Sequence, residues 1–170
     1  QPNRGDKVFS IRDITQAFLQ SNPFPPGSKP RYLKLWHPIE KRWIYFLQFR
    51  SCYGSGSAPI LWEKTLAAFL EAPEGDVVDH ETGMTSGGCG FTRGNNERSV
   101  YYHTGRKFCI LCYVDDIGRL ATPADTAWFD MKLEKRFRCK DPIYLSPTSG
   151  PLDFLGLNIA EIDDYYVLSM

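Results

Sequence analysis

Two adjacent carboxylates close the apolar run Phe108-Cys109-Ile110-Leu111-Cys112-Tyr113-Val114-Asp115-Asp116. The β-branched, aromatic and thiol side chains ahead of them read as a buried strand, so the acids fall where the chain must turn. Like charges side by side repel, and both stay ionised only when something positive lies between them; a hard divalent cation with oxygen ligands serves. Aspartate is also a common turn residue, so the pair alone is equally consistent with a solvated turn. Upstream, Val8-Phe9-Ser10-Ile11-Arg12-Asp13 is a second short strand pattern that ends in an acid. Three carboxylates delivered by two strand ends can hold two magnesium ions about 4 Å apart, an arrangement that serves an attacking hydroxyl and a leaving phosphate oxygen together.

Acids so far apart along the chain need a scaffold. After Asp13 a short helix through about Gln20 is expected, broken by Asn22-Pro23 and Pro25-Pro26-Gly27. Residues 31–36 and 43–47 alternate as the two strands of a hairpin. Tyr53-Gly54-Ser55-Gly56-Ser57-Ala58-Pro59 is rich in small residues. It reads either as a loop whose backbone approaches a ligand or as a linker ahead of a helix with Ser57 as N-cap. Over 59–71 the spacing of Trp62, Leu66, Phe69 and Leu70 marks one face of a helix. Residues 74–98 are polar and glycine-rich, with Asp79-His80-Glu81 in an exposed loop.

Residues 100–103 and 108–114 then pair as a hairpin that delivers Asp115 and Asp116, and 117–121 returns from it. Thr122-Pro123 opens a second long helix with Phe129, Leu133 and Phe137 on its buried face. A short strand near Tyr144 follows, then one strand over 154–162, paired with 165–168 through Asp163-Asp164. This order predicts one α+β domain over residues 1–170, an antiparallel sheet with helices packed on one face and the other face open, on the split βαβ plan.

A chain of 170 residues with 42% hydrophobic and 14% aromatic content suits a globular domain. With no apolar stretch long enough to span a bilayer and no signal peptide at the N-terminus, an intracellular, cytoplasmic protein is expected. Formal net charge is zero, with 20 basic and 20 acidic residues, so a nucleic-acid partner would need a local basic surface. Lys29, Arg31, Lys34, Lys41 and Arg42 are candidates, as are Lys132, Lys135, Arg136, Arg138 and Lys140, although each run alone reads as a solvated face. Five cysteines, an odd number, fit a reducing compartment. Cys109 and Cys112 lie three apart on a strand, hence on opposite faces, and read as core thiols rather than metal ligands.

Four blocks carry a resemblance to the reverse transcriptases of copia-type retrotransposons. They are Asp13-Ile14-Thr15-Gln16-Ala17-Phe18-Leu19, Tyr53-Gly54-Ser55-Gly56-Ser57-Ala58-Pro59, Tyr113-Val114-Asp115-Asp116 and Phe154-Leu155-Gly156-Leu157-Asn158-Ile159. The blocks come in the family's order and with similar spacing. The resemblance implies a polymerase palm with part of the fingers and two Mg2+ ions, replaceable by Mn2+. Asp13, Asp115 and the carbonyl of Ile14 would hold the ion that carries the triphosphate, and Asp116 would be a more peripheral ligand. Backbone groups near Gln16 and Ala17 would meet the triphosphate, Phe18 would exclude ribonucleotides and Gly54 would touch the nascent base pair. Tyr113, Leu155 and Gly156 would contact the primer.

One departure concerns the template. Where the family carries Lys, Gln and Arg, this chain has Gly56, Ser57 and Ile60. The implied partners are an RNA or DNA template with primer and deoxynucleoside triphosphates. Further fingers, a thumb and a ribonuclease H region lie outside the 170 residues. Two other readings are compatible: a domesticated, inactive fragment that acts as a scaffold subunit of a larger assembly, cytoplasmic or organellar, and a different metal-dependent phosphotransferase on the same palm.

Overall fold

A computed structural model of the chain describes residues 6–75, 87–146, 148, 150–162 and 165–170. The expected Asp79-His80-Glu81 loop and Asp163-Asp164 turn lie outside the described residues. In chain order the main elements are β1 (Val8–Asp13), β2 (Tyr32–His37), β3 (Arg42–Leu47), α1 (Ala58–Glu71), β4 (Thr92–Arg93), β5 (Val100–His103) and β6 (Phe108–Tyr113). There follow β7 (Asp116–Ala121), α2 (Pro123–Arg136), β8 (Ile143–Tyr144), β9 (Leu152–Phe154), β10 (Leu157–Ile162) and β11 (Tyr165–Ser169). The fold is α+β with antiparallel strand pairing, in two compact units: residues 16–66 form one, and 1–15 with 67–170 the other.

The larger unit is built on a sheet in the order β4-β5-β6-β7-β1-β8. Alternation along its strands sorts the side chains. One face carries Phe108, Ile110, Ile117 and Ala121, all buried, and meets the Phe129, Leu133 and Phe137 stripe of α2. Thr122 caps that helix, accepting from the Asp125 N–H at 3.2 Å, and Lys135 and Arg136 occupy its last turn, where the dipole favours cations. Phe91 fills the remaining space, its ring 5.3 Å from Phe108 and 5.7 Å from Phe129.

Two arginines interrupt this apolar face. Arg119 of β7 is fully buried and Arg12 of β1 almost so, and both are bound by Asp130 of α2. Arg12 reaches Asp130 at 3.1 Å and also pairs with Glu134. Asp130 thereby neutralises charge that has no water to turn to, and it ties two neighbouring strands to one helix.

The other face of the sheet is not wholly open, contrary to the sequence expectation. A three-stranded sheet, β11-β10-β9, packs on part of it through Phe154 and Ile159, which cluster with Ile11 and Leu145. Gly118 makes the contact possible, since a Cβ there would lie 2.8 Å from the Phe154 ring. Nor is 154–162 a single strand. Leu155 and Gly156 both adopt left-handed φ, 57° and 78°, and fold the segment into a two-residue hairpin turn between β9 and β10. Both central residues with positive φ are what a type I′ turn requires, and Leu155 is an unusual residue to accept it.

Within the smaller unit, β2 and β3 form a two-stranded ribbon in full register from Tyr32 opposite Leu47 to His37 opposite Arg42. A 3-10 helix over Ala17–Gln20 follows Gln16, whose φ is 51°. Loops are pinned by the Phe24 N–H on the Phe49 carbonyl at 2.9 Å and the Asn22 N–H on the Thr65 hydroxyl at 2.8 Å. Among the described residues no helix is long and apolar enough to cross a membrane.

Removing the shared acid leaves the buried Arg119 without its carboxylate and Arg12 with Glu134 alone. Asp130→Ala should therefore lower the unfolding free energy by about 3–5 kcal/mol, read by urea denaturation; a loss within error of zero would contradict the triad. Leu155→Asn should act the other way, raising stability by about 1 kcal/mol as left-handed strain is relieved at a half-exposed position.

Candidate functional site

The β6–β7 hairpin turns on Val114 and Asp115. Only the first of these two central residues has positive φ, 53°, the pattern of a type II′ turn. Glycine is the usual occupant, and a β-branched residue there stores on the order of 1–3 kcal/mol of strain. The turn is fastened to the neighbouring strand through main chain: the Ile14 N–H donates to the Asp115 carbonyl at 2.8 Å. On the other side of β1, the Lys140 N–H donates to the Asp13 carbonyl and the Thr15 N–H to the Arg138 carbonyl, both at 2.9 Å.

This stitching fixes the acids. Asp13 stands opposite Asp116 across β1 and β7, and Asp116 opposite Tyr113 across β7 and β6. The three form one row on the sheet face away from α2. The Lys140 ammonium lies 2.9 Å from the Asp13 carboxylate. Partial burial, then the nearby charges of Asp115 and Asp13, push the Asp116 carboxyl above its usual range, while Lys140 pulls it back. The hydrogen bond to Asp13, its charge and those of Asp115 and Asp116 raise the Lys140 pKa. Asp13 and Asp115 thus act on Asp116, and all three acids on a single lysine.

Oxygen-only, anionic donors of this kind suit Mg2+ or Mn2+. Three carboxylates against one ammonium leave an excess of negative charge. Among the described residues, however, no three His, Cys, Asp or Glu side chains stand together as a ready metal cage. In the described arrangement Asp13 is engaged by Lys140, so holding an ion through Asp13 requires that contact to open.

No family model matches the chain, and no curated protein matches it.

The remaining residues singled out by sequence fall as follows. Ile14 is fully buried beside the turn, and Tyr113 is exposed at its edge. Leu155 and Gly156 form the β9–β10 turn of the larger unit. Gln16, Ala17, Phe18 and Gly54 belong to the smaller unit. There Ala17 is buried, the Phe18 ring lies 5.0 Å from that of Tyr53, and Gly54 has φ 84° with open space where a Cβ would be. Phe18 is therefore a partly packed residue that meets the glycine-bearing block through Tyr53.

Cys109 is exposed rather than a core thiol, because it sits on the face away from α2, whereas buried Cys112 has its thiol pushed up to about 12 by burial. Three lysines belong to the basic run named near the end of the second long helix. Lys132 is buried and donates to the Gly75 and Gly88 carbonyls, and Lys135 stands in the last turn of α2, which leaves Lys140 at the acids. The Arg12–Asp130–Arg119 triad went unread; its signal was a charged residue at a helix-facing position of each strand.

The folded state holds the Asp116 proton more tightly than the unfolded chain does. Stability on this account is fullest where Asp116 is protonated and declines as pH rises from its ordinary pKa through the raised one. Asp116→Asn should accordingly stabilise the protein at neutral pH by roughly 0.2–1 kcal/mol, the scale of a like-charged cross-strand pair. At about pH 3 the gain should vanish. Thermal melts of both proteins at the two pH values check this, and equal melting temperatures at neutral pH would contradict it.

Proposed function

We propose that the chain is the palm and partial fingers of a copia-type reverse transcriptase, which extends a primer with deoxynucleotides by two-metal nucleotidyl transfer. The observation that carries this reading is the row of Asp13, Asp116 and Tyr113 across three adjacent strands, with Asp115 fastened by its main chain to Ile14. Supporting it is the strand order β8-β1-β7-β6, with a helix in the connection from β1 to β6 and another between β7 and β8. That is the connectivity of the split βαβ plan, which the polymerase palm shares.

In this reading Asp13, Asp115 and the Ile14 carbonyl hold the divalent ions, with Asp116 more peripheral. When bound, the ions supply charge stabilisation to the phosphoryl oxygens and lower the pKa of the primer hydroxyl. Lys140, kept protonated by the carboxylates around it, gives up a proton from Nζ to the departing pyrophosphate. Backbone groups of Gln16 and Ala17 receive the triphosphate, and Gly54 admits the base pair to close approach. Phe18 fills the space a 2′-hydroxyl would need. Tyr113, Leu155 and Gly156 support the primer.

The Lys140–Asp13 contact also favours a second reading, in which the ammonium stands in for the cation and the fragment is a non-catalytic scaffold of a larger assembly. The two readings part on one experiment: purified protein, a primed RNA template, deoxynucleotides and Mg2+. Extension that falls by more than about 100-fold in Asp115→Asn supports catalysis, on the scale seen when metal-site groups are removed. No extension above that of Asp115→Asn leaves the scaffold reading standing.

A further inference from the structure

The charges that meet under α2 are not all held equally. Arg12 and Arg119 are buried, and Asp130, itself largely out of water, serves both. The second counter-charge is Glu134, which pairs with the Arg12 Nη2 although its side chain is 57% exposed. A carboxylate that stands mostly in water loses little by leaving, whereas the buried arginine cannot follow it and is strongly destabilised alone. Glu134 is the exchangeable member of the set.

Donors are also left over. Among the described residues the Arg12 Nε and the Arg119 Nε and Nη2 are buried and meet no acceptor. Buried N–H groups ordinarily find one, so three such atoms in a single cluster call for an explanation, and an anion is one that the charges around them support. The thiol of Cys139, close to Arg12, does not serve. Burial pushes it up to about 11, against the pull of Arg12, so it stays uncharged at neutral pH.

An open cleft of about 620 Å³ adjoins this cluster, between α2 and the edge strand β8. Such a volume is that of a small-molecule site. Arg12, Asp130 and Glu134 line it, with Lys135 adding a further positive charge. Tyr144 stands next to Ser10 across β8 and β1, hence on the same side of the sheet as Arg12, and with Ala127, Met131 and Pro142 it gives the cleft apolar walls. Charge fixes the valence of what fits. The two arginines are balanced by Asp130 and Glu134, so a monoanion in place of Glu134 keeps the balance, whereas a phosphate dianion would set an extra negative charge against Asp130. A carboxylate matches the planar guanidinium fork, and the walls suit an apolar body behind it.

We propose that the cleft between α2 and β8 binds a small organic monocarboxylate, which replaces Glu134 on the Arg12 guanidinium and lays a ring-sized apolar body against Ala127, Met131 and Tyr144. Every lining residue belongs to the larger unit, and Arg12 points to the side of the sheet opposite to Asp13. Binding here requires neither Asp13, Asp115 and Asp116 nor a metal, and it stands whether or not the chain is a polymerase.

The test is a titration of the full chain with sodium phenylacetate at neutral pH, ionic strength held constant with chloride, read by thermal melting and by saturation-transfer NMR of the ligand. Phenylacetate should raise the melting temperature saturably, because only the folded state offers the site. Phenylacetamide, its neutral isostere, and inorganic phosphate should not. Glu134→Gln should melt below wild type yet bind phenylacetate about tenfold more tightly, since the internal rival has lost its charge. Ala127→Trp, at an exposed helix position, fills the cleft and should weaken binding about tenfold or more in a protein that stays folded. Arg12→Lys keeps the charge without the fork and should weaken it to a similar degree; should it fail to fold, Ala127→Trp decides the matter.

Absence of a saturable response to phenylacetate in the wild type overturns the proposal. Binding confined to Glu134→Gln does so too, and would make Glu134 the permanent anion of the cleft. An equal response to phenylacetamide or phosphate, or undiminished binding in folded Ala127→Trp, likewise overturns it.

Discussion

One carboxylate, Asp130, holds the larger unit to its register. It binds Arg12 on β1 and Arg119 on β7 at once, and both arginines point to the helix side of the sheet. Sliding β1 by one residue would turn Arg12 to the opposite face and put Ile11 among the charges, so the buried triad penalises that slip strongly. Because Arg12 is fixed toward α2, its neighbour Asp13 is fixed away from it, opposite Asp116. The placing of the acids on one face follows from satisfying the bases on the other.

The site uses charge in the opposite sense. Behind the sheet, two buried arginines are met by Asp130 and by the more exposed Glu134; in front, three carboxylates lie near one lysine. Asp116 bears the mismatch in its raised pKa, and Lys140, tethered by its own main chain to the Asp13 carbonyl, is held where it can relieve it. The fold hides paired charge on one face and leaves crowded acids at a strand end on the other. The strained Val114 turn belongs with them, since it sets the Asp115 carbonyl on the Ile14 N–H with an unfavourable backbone angle.

Much of this was legible in the residues. Period-two alternation located the strands and the 3.6-residue spacing of Phe129, Leu133 and Phe137 located the buried face of α2, since both patterns report burial directly. The meeting of Asp13 with the Asp115-Asp116 pair could be expected because Asp13 ends one strand pattern and the pair closes another, although it is Asp116, expected to be the more peripheral, that stands opposite Asp13. Less could be read where tertiary context outweighs local pattern. Leu155 looks like a strand residue and becomes a turn because Phe154 must reach back over Gly118 and the chain must reverse immediately afterwards. The covering of the sheet by β9–β11 was hidden for the same reason: nothing in the alternation of 154–162 says which surface its apolar side will find. The contact of Lys140 with Asp13 could not be read, because spacing alone does not say which lysine a loop turns toward an acid.

The bond from the Ile14 N–H to the Asp115 carbonyl has a practical corollary. The site's shape is written in main chain, and its charge in side chains. Exchanging a carboxylate for its amide alters the second without touching the first, so such a variant separates what the turn does by its shape from what it does by its charge.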